Sequence, residues 1–503
     1  MKKVKLTLTV LALMLLFTAC SDDTVDITLS DNGIKIENTD AVQITNDIIY
    51  YEAGKDFTYG EGEEKDAHYK EEADAHTVVK ITKPGTYSLS GKLTKGQIAV
   101  DLGENAEDDE NAVVNIVLNG VDITCDVAPA VIFYSVYECG DDDEEGASKD
   151  VDTSKAGANV YIADNTVNTV NGAYVARIYQ PGSIELSDDG KSVEDAEKLH
   201  KYDGAFYSKM SMNINGDSGV LNINAKNEGL DSELHLTING GNININSGND
   251  GINTNEDNVS VTTINGGTLK INVNGSTGEG DGIDSNGWLV INGGTLVAEA
   301  CSFSGDAGID SDKGIHINGG TVIATGNMLD RIEEVGQTYA TFDFAEKQKG
   351  NVTALIMKDK DGKEIFNVTP ANDYSILIYS SPDLKEGTYT LWSDDVQLSG
   401  AKAMFGGRGG RGPGGEHPEM PEGMEPPEDF NPDTMKPKFD PENMPEGFKD
   451  GERPEGDGAR PETPEGAGAR PDFSSQANIK VETSPNFQIE NGRNMFAMVG
   501  KAR

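Results

Sequence analysis

Cysteine, tryptophan and positive charge are all scarce in this chain of 503 residues. Its four cysteines, Cys20, Cys125, Cys139 and Cys301, are too few and too scattered to staple a disulfide scaffold. None belongs to a CxxC pair, so nothing marks a structural zinc site. Lys and Arg number 41 against 86 Asp and Glu, giving a formal charge of −45. The clustered cations that bind phosphate are therefore missing, which argues against nucleic acid and against an anionic membrane surface. Such a surface favours divalent cations, or ligands that bring cations with them. Also absent is any apolar run near the roughly 20 residues a membrane helix needs.

What the chain has in excess is glycine, 59 residues, and a repeat. Asn-Gly steps recur at Asn215, Asn239, Asn265, Asn292 and Asn318, spaced 24, 26, 27 and 26 residues apart. A second marker runs in phase: Gly229-Leu230-Asp231-Ser232, Gly251-Ile252-Asn253-Thr254, Gly282-Ile283-Asp284-Ser285 and Gly308-Ile309-Asp310-Ser311. Each Asn-Gly step leads into an alternating run such as Asn242-Ile243-Asn244-Ile245-Asn246, and a period of two means strand. Units of about 25 residues holding two or three strands predict an all-β fold, a parallel β-helix whose coils lie about 4.8 Å apart.

The expected layout is a targeting segment at 1–20, short strands over 21–75 and the repeat domain over 76–400. A spacer at 401–475 and a terminal strand segment at 476–503 follow. Residues 402–475 hold 13 of the 19 prolines, a composition that predicts disorder. Order is expected to return at Ile479 to Val481 and Phe487 to Val499. Residues 351–400 read as strands closing the repeat stack. Lys2, Lys3 and Lys5, the apolar run Leu6 to Phe17, and Phe17-Thr18-Ala19-Cys20 resemble a bacterial lipobox, with Phe17 where Leu is usual. That resemblance implies export and a surface lipoprotein whose only membrane contact is the lipid on Cys20. In that setting Cys125 and Cys139 are either a disulfide or two unpaired thiols.

Two ladders can be drawn up the stack. The Asn ladder reads as structure, with Asn tolerating left-handed geometry before Gly-Gly and stacked amides satisfying one another. The acidic ladder reads differently. If Ile252, Ile283 and Ile309 point inward, then Asp231, Asn253, Asp284 and Asp310 point outward. Asp250, Asp281 and Asp306 sit at or beside the bend just before, with Glu228 in the coil below and Asp203 one coil further. Residues 227–330 hold fourteen acids and two bases, Lys270 and Lys313, so no nearby cation neutralises the column. Like charges about 5 Å apart cost on the order of 3 kcal/mol at an effective dielectric near 20. Either some of these groups keep protons, or Asp231, Asp250, Asp281, Asp284, Asp306 and Asp310 supply ligands to a hard cation, for which calcium is the choice outside cells. Well-solvated Asp residues capping each bend remain the plain alternative.

The Asp-Gly-Ile-Asp-Ser and Ile-Asn-Gly-Gly-Thr alternation resembles bacterial, clostridial-type cell-surface carbohydrate-binding domains. Ile81-Thr82-Lys83-Pro84-Gly85-Thr86-Tyr87 and Val117-Leu118-Asn119-Gly120-Val121-Asp122 carry the same likeness upstream. The resemblance implies a right-handed parallel β-helix, similar in fold to family-nine pectate lyases, that binds calcium and polysaccharide, including acidic ones. It also implies calcium at Asp281, Asp284, Asp306 and Asp310, with Asn253 and Phe206 standing where two coils would carry aspartate. Trp288, Tyr202 and Tyr207 are the candidate carbohydrate-binding aromatics. The function expected is non-catalytic polysaccharide binding. The alternatives are a calcium-dependent pectate lyase, which would need a neutral lysine facing the ladder, and an adhesion protein without a glycan ligand.

Overall fold

The computed structural model describes residues 24–36, 39–334, 336–403 and 483–501. The targeting segment with Cys20, nearly all of the 401–475 spacer and Ile479 to Val481 lie outside the described residues. Within them the chain is all-β, and the one helix, Lys70–Asp74, is five residues long.

Three files of parallel strands carry the repeat. One runs through Ala158–Ile162, Met212–Gly216, Leu236–Ile238, Val261–Ile264, Trp288–Ile291 and Gly314–Ile317. A second runs through Val167–Gly172, Val220–Ala225, Asn242–Ser247, Thr268–Val273, Thr295–Glu299 and Thr321–Gly326. The third runs through Thr77–Ile81, Gly96–Asp101, Val131–Ser135, Gly204–Ser208, Glu228–Ser232, Ile252–Thr254 and Ile283–Ser285. Each strand pairs with the one a repeat further along, as Val220 does with Asn242 and Asn242 with Thr268. Alternation decides the facing. Ile243, Ile245, Leu269, Ile271, Leu296 and Val322 are buried, whereas Asn244 and Asn246 are not.

The turns repeat as faithfully as the strands. Asn239, Asn265, Asn292 and Asn318 each donate a side-chain amide to the Asn one repeat before, at 2.9 to 3.0 Å, so the Asn ladder is structural as expected. The left-handed residue, however, is not the Asn. It is the second glycine, with φ of +94°, +83°, +80° and +81° at Gly241, Gly267, Gly294 and Gly320. A Cβ at Gly294 would lie 2.7 Å from the Gly267 carbonyl oxygen, so these positions require glycine twice over.

The boundaries differ from expectation at both ends. Thr24–Leu29 pairs in parallel with Gly85–Leu93, so the stack begins well before residue 76. The parallel file of repeats ends at Thr321–Gly326, where Val322 meets Ser380 antiparallel. Strands Tyr339–Gln348, Leu355–Asp359, Glu364–Val368, Tyr374–Ser380, Gly387–Ser393 and Val396–Lys402 then form antiparallel pairs around a second core of Phe342, Leu377, Leu391 and Phe487. Phe487–Ile489 and Arg493–Lys501 return to this region, the latter beside Tyr339–Gln348, which accounts for the alternation seen near the C-terminus. Between Gly172 and Gly204 an insertion folds into the antiparallel pair Val175–Tyr179 and Lys198–Tyr202. Cys125 and Cys139 are both free thiols, so the open question between bridge and unpaired thiols resolves to the latter.

Candidate metal and carbohydrate site

The Gly-Ile-Asp-Ser marker is explained position by position. A Cβ at Gly229, Gly251 or Gly282 would lie 2.3 to 2.5 Å from a carbonyl oxygen of the next coil, so coils can approach only with glycine there. Ile252, Ile283 and Ile309 are fully buried in the core. The hydroxyl closing the marker bonds to a carbonyl nearby, as Ser285 does to Trp288 at 2.9 Å and Ser232 to His235 at 3.1 Å. The aspartate remains, and it faces away from the core.

The register places Asp231, Asn253 and Asp284 in one file. Asp310 continues it, its N–H donating to the Ile283 carbonyl at 2.7 Å. One coil below Asp231 the file holds Tyr207, and not Phe206, which is paired with Leu230 and turned into the core. Facing away from the core does not mean exposure here. Asp231 is completely buried, and Glu228 and Asp203 are nearly so. The insertion before Gly204 carries Lys201, Tyr202 and Asp203 to this spot, and a sequence argument from coil periodicity alone does not anticipate that cover.

Carboxylate oxygens of Asp203, Glu228 and Asp231 lie within 4.8 Å of one another, the one such group of potential metal ligands among the described residues. Lys201 reaches Asp203 at 2.7 Å, correcting the expectation that no cation stands near the column. Asn255 donates to Asp231 at 2.6 Å and Asn253 to Glu228 Oε1 at 3.3 Å. One lysine against three carboxylates leaves the group short of positive charge. Burial, and then Asp231 and Asp203, push the Glu228 carboxyl far above its ordinary range; burial, and then Asp203 and Glu233, do the same to Asp231. Glu228 Oε2 and Asn253 Oδ1 are buried acceptors without a partner. An all-oxygen donor set with orphaned acceptors matches what a hard cation requires, so Asp203, Glu228, Asp231 and the Asn253 carbonyl fit one.

Of the predicted ligands, only Asp231 belongs to this group. Asp250 accepts the Asp281 N–H of the next coil and Asp306 the Gly280 N–H of the preceding one, both at 2.6 Å. Asp281 accepts from the Ala307 N–H in the same way. These three act as braces between coils, and Asp250 is buried, not well solvated as the plain alternative had it. Asp284 and Asp310 stay half-buried higher in the file, where Asp310 and Asp330 both accept the Ser311 N–H, at 3.0 and 3.2 Å. Burial raises the Asp310 carboxyl to about 7, with Asp330 adding to the shift; burial raises Asp250 to about 7 as well, against the Asp281 N–H bond, with Asp306 adding. Asp203 and Glu228 belong to the column read from the sequence but are not among the predicted ligands. The signal existed: Glu228-Gly229-Leu230-Asp231 aligns with Asp281-Gly282-Ile283-Asp284 and sets Glu228 at the bend position.

The predicted aromatics are not a sugar platform. Tyr202 and Tyr207 are 2% and 1% exposed, their rings packed at 4.9 Å, and the Tyr207 hydroxyl is bonded to Glu233. They wall the acidic group. Trp288 is half-buried and stands in the file of Val261 and Gly314, a different file from that of Asp284.

Comparison with known proteins agrees with the reading of the repeat. A family model described as carbohydrate-binding domain-containing protein matches residues 75–140 and 144–353, more than half of the chain. A carbohydrate-binding domain-containing protein of Acetivibrio thermocellus is 29% identical over 166 residues, 33% of this chain and 43% of the relative, so well under two thirds of that relative is spanned. A solved structure described as a polysaccharide lyase-like protein from C. thermocellum, a gadolinium derivative, shares 21% identity at a TM-score of 0.36, over 62% of this chain and 98% of that one. On the match of the family model, the chain belongs to the carbohydrate-binding domain-containing protein family.

Proposed function

We propose that the protein is a non-catalytic, exported and lipid-anchored surface binder of polysaccharide, in which calcium held among buried carboxylates joins protein to an acidic, pectin-like glycan. The observation that carries this reading is the Asp203–Glu228–Asp231 group, within 4.8 Å and short of positive charge, with Glu228 Oε2 unpartnered. A chain of formal charge −45 repels a polyuronate, so attraction needs a cation shared by both sides. The three parallel strand files support a right-handed parallel β-helix as the scaffold.

The chemistry of the lysine at the site favours binding over lyase action. A lyase needs a neutral base beside the substrate carboxylate. Burial works to lower the Lys201 ammonium, but Asp203, Glu228 and Asp231 overcome it and hold the proton on, the wrong direction for a base. Lys313 is taken up by Glu144 at 3.5 Å, and Arg331 by Glu333 at 2.6 Å. When bound, the cation supplies positive charge. Asp203, Glu228 and Asp231 position it, and Tyr202 and Tyr207 exclude water from one side.

The test is elemental analysis of the purified chain combined with retention on polygalacturonate gels, with and without chelator. Stoichiometric calcium and chelator-sensitive retention without near-ultraviolet absorbing product are expected. Retention that survives chelation refutes the cation bridge, and a rising absorbance trace refutes the non-catalytic assignment.

A further inference from the structure

A second recess lies outside the acidic file, where the N-terminal segment meets the insertion. The two chains are clamped by backbone bonds: Tyr179 N–H to the Tyr59 carbonyl at 2.9 Å, and Glu61 N–H to the Arg177 carbonyl at 2.9 Å. Gly60 makes the clamp possible, since a Cβ there would lie 2.1 Å from the Arg177 carbonyl oxygen. The recess above this clamp has a volume of about 540 Å³ and is lined by Tyr50, Tyr59, Tyr179, Ile184, Leu199 and His200 among others. A second recess, about 620 Å³, opens across the turn of residues 52–56, which borders both.

Three features make the first recess a prepared surface rather than a packing gap. Its rings are held in place: Tyr59 has Tyr51 edge-on at 5.1 Å and the Lys55 ammonium 5.4 Å from its centroid, and Tyr179 has the Arg177 guanidinium at 5.8 Å. Fixed rings lose little freedom on binding. Its charges are largely settled, with Lys55 paired to Glu52 at 2.9 Å and Asp56 bonded to Thr58 at 2.6 Å. Lastly, exposed aromatic side chains gather beside it, across the shared turn of residues 52–56. Of the three large ones exposed among the described residues, Phe57 at 47% and Tyr69 at 67% belong to this segment and line the second recess, and only Phe303 lies elsewhere. Rigid tyrosines with polar tips and little free charge suit the apolar face and hydroxyl rim of a pyranose ring.

We propose that the Tyr50–Tyr59–Tyr179 recess is a subsite for a neutral glycan, engaged without a cation. The proposal rests on the carbohydrate-binding reading above and adds a place and a ligand class to it. Residues 48–59 precede the segment matched by the family model, whereas Tyr179, Ile184, Leu199 and His200 fall within it, so the subsite forms where the N-terminal segment meets the insertion.

Affinity electrophoresis of the full chain in gels of glucomannan, xyloglucan or polygalacturonate, with and without chelator, tests it. Tyr179→Ala and Tyr59→Ala should each weaken retention on at least one neutral polysaccharide by about tenfold or more, while Tyr179→Phe stays within about threefold, because the ring supplies most of the contact. Chelator should leave that retention unchanged, and Phe303→Ala should behave as the unaltered chain. Melting curves establish that each variant is folded, and Tyr179→Ala stands if Tyr59→Ala does not fold. Folded alanine variants with full retention overturn the proposal, as does an equal loss in Phe303→Ala. Retention of polygalacturonate alone sinks the subsite but spares the carbohydrate-binding reading; retention of no polysaccharide sinks both.

Discussion

Asn253 donates its side-chain amide to Glu228 Oε1 at 3.3 Å, yet its own carbonyl oxygen and the second oxygen of Glu228 have no partner in the protein. Two orphaned acceptors at one buried contact cost on the order of 1–3 kcal/mol each, a loss that a cation would recover.

Calcium at about 100 times its dissociation constant should therefore raise the stability of the chain by roughly 2.7 kcal/mol, read as a rise in melting temperature that chelator reverses. Glu228→Gln should abolish that rise without lowering the stability of the metal-free protein, since the amide has the shape of the protonated carboxyl that burial, Asp231 and Asp203 already favour. An undiminished calcium response in the variant would place the ion elsewhere.

Asn292→Ala should behave in the opposite way. It deletes the amide given to Asn265 and the acceptor used by Asn318, both at 2.9 Å on the exposed turn face. A cost of about 1 kcal/mol in urea denaturation is expected, equal with and without calcium. Coupling to calcium would mean that the two ladders have been assigned the wrong roles.

Gly294→Ala should cost about 1–3 kcal/mol, because φ is +80° and the new methyl would meet the Gly267 carbonyl. Gly305→Ala, with open space around it and no positive φ, should be nearly neutral. Similar urea midpoints for the two variants would refute the turn geometry.

His235 sets an acid limit. It is 3% exposed, its Nδ1 accepts the Val261 N–H at 3.1 Å, and burial lowers its pKa to about 4. A depressed folded value means that the stabilising contribution is complete above the unfolded pKa of about 6.5 and is lost as pH falls toward 4. The unfolding free energy from urea denaturation should drop over that window by about a few kcal/mol at most, and His235→Gln should flatten that part of the profile. An unchanged slope in the variant would assign the acid sensitivity to other groups.

Periodicity made the repeat legible because each coil solves the same local problem: an inward isoleucine, a glycine where coils touch, an amide over the turn. Ile252, Ile283 and Ile309 were placed by that logic and are buried. The acid file itself was legible for the same reason. Its cover was not, because Lys201 and Tyr202 arrive from an insertion whose docking has no period to read. The same blindness put Tyr202 and Tyr207 on the surface and missed that Asp250, Asp281 and Asp306 each spend an oxygen on a neighbouring coil's N–H. Gly241 and its equivalents show a finer limit. Asn-Gly-Gly signals a left-handed residue without saying which of the three adopts it.

The return of Arg493–Lys501 to a place beside Tyr339–Gln348 has a topological result. Residues 403 and 483 are both anchored in the same antiparallel region, through Val396–Lys402 on one side and Phe487–Ile489 on the other. A protease cut anywhere between them would yield two polypeptides but not two molecules. The C-terminal fragment would stay docked through Phe342 paired with Phe496 and Tyr389 paired with Phe487, a noncovalent splice that only denaturant should undo.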